Sequence, residues 1–334
     1  MYSKRIIARI DQNSYPPHCN YLINQHNFQD VFLYAHRSKR IKSKLKILTD
    51  NVSYAWYVLK HRKKFSRADI IISTGWIPLS LRLLIKLGIV SCNKFYWLGF
   101  QIHEPKLYRY FALLLRLTSL KRETYIVNAF YEKDIYAKRM GISPEKIQVL
   151  PYSDWGKDVE KNTVPLKNYY FAGGYTNRDY ASLIDVFSRS NQELVIIGSK
   201  HNHDLDVAVP DNIKILKDVN KKDFISYLVQ AKACIVPLKK ADAGASGQMV
   251  LLSYMRNTKT IIASDYPSVR EYVTHNTSAL LYDKQEQNLA SMVAYLEENP
   301  DTMNHLKEKA FRAYQENFSH DAIAKRLDDI LSLQ

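Results

Sequence analysis

Carboxylates are scarce in one half of this sequence. Residues 1–152 hold 26 lysines and arginines against 9 aspartates and glutamates, a net of +17, while the remainder holds 22 against 24, a net of −2; the whole is +15. A compositional drift toward lysine would spread over both halves, so the first half is built to face an anionic surface. Cysteine is also sparse. Cys19, Cys92 and Cys234 are odd in number and lack metal-ligand spacing, which predicts free thiols in a reducing compartment. His201 and His203 lie near Asp204 and Asp206, but an i,i+2 spacing in a polar loop argues against a metal, and none is expected. Long apolar runs are missing too. The nearest to a membrane span, around residues 111–120, is interrupted by Arg116, and the start of the sequence has no stretch resembling a secretion signal. The expected location is cytoplasmic, peripheral on the inner face of the plasma membrane.

What is present alternates. Apolar runs at 6–10, 30–34, 68–74, 94–100, 124–128 and 146–150 read as strands, separated by helix-period segments that include 77–87, 106–121 and one ending at Met140. A polar stretch without periodicity, 151–167, reads as a linker. Strands at 168–172, 194–198, 213–216, 234–238 and 260–265 follow, with helices at 180–188, 222–231, from about 248, and up to 333. With 46% hydrophobic residues in 334, there is material for two cores. The βαβα order predicts an α/β protein of two Rossmann-like parallel-sheet domains, 1–152 and 153–317.

The excess charge has a pattern. Lys39, Arg40, Lys42 and Lys44 crowd one segment, Lys63 sits in a second at 60–64, and Lys106, Arg109 and Arg116 fall on one narrow face of the helix predicted over 106–121. Tyr54, Trp56 and Tyr57 stand between the first two. Cations beside aromatic rings suit an anionic membrane surface, with Phe111, Leu114 and Leu115 as candidates for insertion; a solvated basic face is the alternative. No nucleic-acid motif is present, and nucleic acid is not an expected partner.

Chemistry points to the stretch Gly244-Ala245-Ser246-Gly247-Gln248-Met249, between the strand at 234–238 and the next helix. Small residues let a backbone approach an anion, and the first-turn N–H groups of the helix face the same point, as a phosphate site requires. Gly173, Gly174, Tyr175 and Arg178 form a second turn of this kind after the strand at 168–172. The run from Ala245 through Ser246, Gly247, Gln248 and Ser253 to Met255, followed by Ile261-Ile262-Ala263-Ser264-Asp265 and Arg270-Glu271-Tyr272-Val273, resembles the retaining GT-B glycosyltransferases of the nucleotide-sugar-dependent "group 1" family. The resemblance extends from about Lys146 onward.

That resemblance implies a GT-B fold whose last helix, a closing segment over 318–334, returns to the first domain. It also implies transfer of a hexose or N-acetylhexosamine from a nucleoside-diphosphate sugar, a UDP-sugar above all, with no metal and no further cofactor. The acceptor would be lipid-linked or a glycan, in surface polysaccharide synthesis. The donor would be bound by Gly173, Gly174, Tyr175, Arg178, Ala245, Ser246, Gly247, Gln248 and Ser253, with His103 and Arg178 as catalytic candidates. Three departures stand out. The loop after the first strand has no glycine, Ser253 occupies the position of a ribose-binding Glu, and Tyr175 that of a phosphate-binding Arg. These departures keep open a second reading, a GT-B-like scaffold with impaired catalysis.

Overall fold

The structure is a computed structural model that describes residues 4–9, 17–32, 44–65, 67–74, 79–100, 108–153, 165–239, 246–283 and 288–332. Two compact units divide the chain, one of residues 1–151 with 327–334, the other of residues 152–326.

In the first unit, strands β1 (Arg5–Arg9), β2 (Gln29–Phe32), β3 (Ala68–Thr74), β4 (Cys92–Leu98), β5 (Glu123–Val127) and β6 (Ile147–Val149) form one parallel sheet in the order β2-β1-β3-β4-β5-β6. The chain steps one way from β1 to β2 and the other way ever after. With right-handed crossovers this places α1 (Pro17–His26) on one face, and α2 (Lys44–Lys60), α4 (Leu79–Lys86), α5 (Tyr108–Leu117) and α6 (Phe130–Met140) on the opposite face. Accordingly α2 packs on α4, α4 on α5 and α5 on α6, and a single turn, α3 (Arg62–Phe65), follows α2. Side chains alternate across the sheet. Ile6, Ala8, Ile71, Phe95, Trp97, Tyr125 and Val127 share a core with Tyr54, Val58, Leu81, Leu84, Phe111 and Leu115 from the four-helix face. Phe111 and Leu115 are therefore core residues, not candidates for a membrane. The strand expected at 94–100 begins at Cys92 and ends at Leu98, because Gly99 turns the chain with φ 71°.

One cation is inside this core. Arg82 on α4 is fully buried and its Nη2 donates to Glu123 (2.6 Å), to the Tyr125 hydroxyl (2.8 Å) and to the Leu115 carbonyl (3.3 Å). Lys146 lies 3.2 Å from the other Glu123 oxygen.

The second unit repeats the plan. Strands β7 (Tyr169–Gly173), β8 (Glu193–Gly198), β9 (Ile213–Lys217), β10 (Ala233–Val236), β11 (Thr260–Ser264) and β12 (Leu280–Tyr282) form a parallel sheet in the order β12-β11-β10-β7-β8-β9. β7, β10 and β11 are buried along their whole length, as central parallel strands must be. Tyr169 and Phe171 belong to the core on one face, Tyr170 and Ala172 to that on the other. Helices α7 (Tyr180–Ser188), α8 (Lys221–Gln230), α9 (Gln248–Arg256), α10 (Pro267–Arg270), α11 (Leu289–Glu298) and α12 (Pro300–Asn317) surround the sheet. The last helix, α13 (His320–Ser332), begins in the second unit, and from Leu327 its residues belong to the first. There Asp328 accepts from the Tyr21 hydroxyl (2.6 Å) and pairs with His26 of α1 (2.8 Å).

Candidate active site

A doubly wound sheet binds its ligand where the strand order reverses, beyond the carboxyl ends of the strands. In the second unit that point lies between β7 and β10, and a cavity of about 530 Å³ opens there. Gly174, Tyr175, Thr176 and Arg178 wall it on the β7 side. Ser246, Gly247, Met249 and Val250 wall it on the α9 side, and Lys221 and Phe224 come from the first turn of α8. The described lining holds two cations and no carboxylate, with the rings of Tyr175 and Phe224 beside them.

The helix end is laid out for an anion. Gly247 adopts φ 90° at the N-cap of α9 and, having no side chain, cannot cap the first turn itself; leading N–H groups of this kind are what a helix offers an anion. A Cβ at Gly247 would lie 3.2 Å from Leu238 and 3.3 Å from Val236, so the turn is also pressed onto the end of β10. Gln248, the first helical residue, is 2% exposed, and neither amide atom of its side chain has a partner.

The Gly173-Gly174 turn is arranged differently. The Gly173 N–H donates to the buried Tyr254 hydroxyl of α9 (2.9 Å), and the Gly174 N–H to the Ile197 carbonyl of β8 (3.1 Å). The Gly174 carbonyl accepts from the Tyr180 hydroxyl (2.6 Å). Both N–H groups are thus engaged within the fold. The glycines serve close packing instead: a Cβ at Gly173 would meet the Phe224 ring at 2.5 Å, and one at Gly174, whose φ is 129°, the Arg178 guanidinium at 2.4 Å. Burial pushes the Tyr180 and Tyr254 phenols well above their ordinary value, so both stay neutral.

Arg178 is 4% exposed. Its Nε donates to the Gly173 carbonyl (3.3 Å) and its Nη1 to the Thr176 carbonyl (2.6 Å), which leaves Nη2 over Gly174 on the cavity wall. Burial lowers its pKa, yet a guanidinium remains charged. The loop is stitched to the segment leaving β10 by a bridge between Arg178 and Leu238, by Asp179 N–H to the Pro237 carbonyl (2.9 Å), and by Lys239 N–H to the Asn177 carbonyl (3.1 Å). Asp179 then caps α7, accepting from the Ser182 N–H and hydroxyl.

Of the residues singled out in the sequence, Gly174, Tyr175, Arg178, Ser246 and Gly247 meet at this cavity. Gly173 and Gln248 lie immediately behind its wall. Ser253, 8% exposed, is in the second turn of α9 and does not line the cavity. His103 and Ala245 lie outside the described residues, as do Lys39, Arg40, Lys42 and the side chain of Lys44. Lys63, Arg109 and Arg116 are exposed on the first unit. Among the described residues no group of three potential metal ligands occurs. The sequence reading missed Lys221, Phe224, Tyr180 and Tyr254. Asn220, which caps α8 by accepting from the Asp223 N–H (2.9 Å), marks where that helix starts, but no local pattern says that its first turn faces a cavity. A second hollow of about 490 Å³ lies past β11 and β12; there Arg270 holds Asp265 bidentately at 2.5 and 2.6 Å.

Residues 170–313 match the family model described as glycosyl transferases, group 1. No curated protein matches the chain. Solved structures of similar fold include a glycosyltransferase from Rickettsia africae ESF-5, with TM-score 0.73, 13% identity and 98% of both chains covered. Anabaena HepE in complex with UDP and glucose gives TM-score 0.66 at 14% identity, covering 99% of this chain and 100% of that one. A lipopolysaccharide outer core galactosyltransferase, WaaB, gives TM-score 0.69 at 14% identity over the full length of both. These likenesses establish the GT-B fold, and the family match lies within the second unit.

Proposed function

We propose that this chain, whose residues 170–313 match the group 1 glycosyltransferases, is a glycosyltransferase whose donor is a UDP-hexose or UDP-N-acetylhexosamine. The acceptor would be membrane-linked, in the synthesis of a bacterial surface polysaccharide, and transfer would proceed with retention at the anomeric carbon. One observation carries the donor reading: a cavity at the strand-order reversal that combines a helix N-terminus, Arg178 and Lys221 with no carboxylate on its described wall. HepE, of the same fold, is in complex with UDP and glucose, which supports the choice of base and sugar class.

As the glycosidic bond breaks, negative charge grows on the leaving diphosphate while the sugar becomes oxocarbenium-like. Stabilising that charge is the chief electrostatic need. In this reading the leading N–H groups of α9, Arg178 Nη2 and Lys221 meet the diphosphate, and Tyr175 or Phe224 offers a ring to the base. His103 is assigned to the transferred sugar, while Ser253, which does not line the cavity, is given no contact with the donor. The basic first unit faces the acceptor and the cytoplasmic leaflet. No helix among the described residues is long and apolar enough to cross a membrane, and the proposed association is peripheral.

A melting series with UDP, GDP, ADP and CMP tests the donor site. At about a hundredfold its Kd a ligand specific for the folded state adds about 2.7 kcal/mol of stability. UDP is expected to raise the melting temperature most, and turnover of a UDP-sugar panel then identifies the sugar. Absence of a shift with every nucleotide would refute the assignment.

A further inference from the structure

Three neighbouring helices of the first unit turn an unusual stripe outward. On α2 the exposed residues Val52, Trp56, Leu59 and Lys60 fall at i, i+4, i+7 and i+8. On α5 Arg109, Leu113, Arg116 and Leu117 repeat that spacing, and on α4 Leu83 and Lys86 lead into exposed Leu87 and Ile89. The outward stripe of a helix in solution is normally polar. Here Trp56 is 64% exposed, Leu87 63% and Leu117 59%. All three helices cover the same face of the sheet, and their opposite stripes (Tyr54 and Val58, Leu81 and Leu84, Phe111 and Leu115) are packed into its core. The exposed stripes therefore share one surface.

That surface is cationic as well as apolar. Lys60 Nζ lies 5.4 Å above the Trp56 ring, and Lys86 donates to the Leu117 carbonyl (2.9 Å) at the end of α5. Arg62, Lys63 and Lys64 are exposed on α3, and Lys121 and Arg122 just beyond α5. α3, α4 and α5 contain no acidic residue.

We propose that this α2–α4–α5 face is the membrane-docking surface: Trp56, Leu87, Ile89, Leu113 and Leu117 enter the headgroup layer of an anionic bilayer while the surrounding lysines and arginines meet lipid phosphates. Rings and leucines at headgroup depth, ringed by basic side chains, are what such a surface accommodates. A second copy of the chain fits poorly, because a twofold contact would oppose cations to cations. RNA would engage the cations and leave the leucines unused. The inference deepens the membrane side of the proposed function and does not depend on the donor cavity, which lies in the other unit.

The full chain is floated with phosphatidylcholine vesicles, with and without phosphatidylglycerol, at low and high salt. Binding is expected only with the anionic lipid, with a fraction persisting at high salt because apolar insertion is not screened. Brominated lipid should quench fluorescence of the wild type, and the quenching should fall in Trp56→Phe. Leu113→Ser/Leu117→Ser should weaken vesicle affinity by about tenfold or more without changing the melting temperature. Wild-type affinity in the double variant, complete loss of binding with salt, tighter binding to RNA, or a dimer that the double variant dissolves would each overturn the proposal. The nucleotide melting shift separates the two readings. If it survives while lipid binding is absent, only the docking face fails; if it is absent while lipid binding survives, only the donor site fails.

Discussion

Arg178 has two tasks that a substitution separates. Its guanidinium ties down the carbonyls of Gly173 and Thr176, and the residue lines the cavity. Arg178→Ala should cost about 2–3 kcal/mol of stability, since charged hydrogen bonds to buried carbonyls are lost, and should weaken nucleotide binding at least about tenfold. Lys239, half exposed and 3.2 Å from Asp204, is the control; Lys239→Ala should leave the nucleotide melting shift close to wild type. Tyr254→Phe tests the link from α9 to the first turn. It strands the buried Gly173 N–H, for an expected loss of about 1–3 kcal/mol in urea unfolding. Asp265 gives a pH signature. Hydrogen bonding to Arg270 holds its carboxyl below the usual range, so the stability it contributes is fully present above the unfolded carboxylate value of about 3.9 and is lost as pH falls through the lower folded value. A wild-type versus Arg270→Ala stability difference that grew on acidification would contradict this. Glu123→Gln should be severe, about 3–5 kcal/mol in equilibrium unfolding, because it leaves Arg82 buried with its charge uncompensated.

At the scale of elements, two glycines that look alike in sequence should answer differently to alanine. Gly174→Ala must fit a Cβ 2.4 Å from an arginine pinned by two carbonyls, at φ 129°, and should cost about 1–3 kcal/mol. Gly88→Ala, at φ 73° with open space around it, should cost less, about 1 kcal/mol, on thermal melts of the pair. Tyr180–Ser188 and Ala68–Thr74 have the bounds that periodicity predicts, because caps and apolar runs are local signals. Leu280–Tyr282 is a strand of three residues, too short to carry a period, and it exists because β11 offers an edge to pair with. The turn before α9, and the helix that starts from it, were legible, since glycine and serine before a helix are one contiguous pattern. The true partners of Gly173 and Gly174 were not. Tyr254 and Ile197 are 81 and 23 residues away from them in sequence and meet the turn only through the folded sheet. The same holds for Leu113 and Leu117 against Phe111 and Leu115: composition marks the helix as apolar, but only packing decides which side is core.

For the whole molecule, the uneven charge was readable from composition, and the placing of Lys60, Lys86, Arg109 and Arg116 on neighbouring helices was not, since three separate segments have to be brought side by side. The order in which the chain is made adds a last consequence. The first unit is synthesised first, yet Leu327 and Ile330, both buried, and Asp328, which holds α1 through Tyr21 and His26, belong to it as well. Tyr96 of β4 likewise donates to the Leu331 carbonyl. Domains commonly fold as they emerge from the ribosome. This one waits, with the α1 side of its sheet incompletely covered, until translation has passed through the entire second unit.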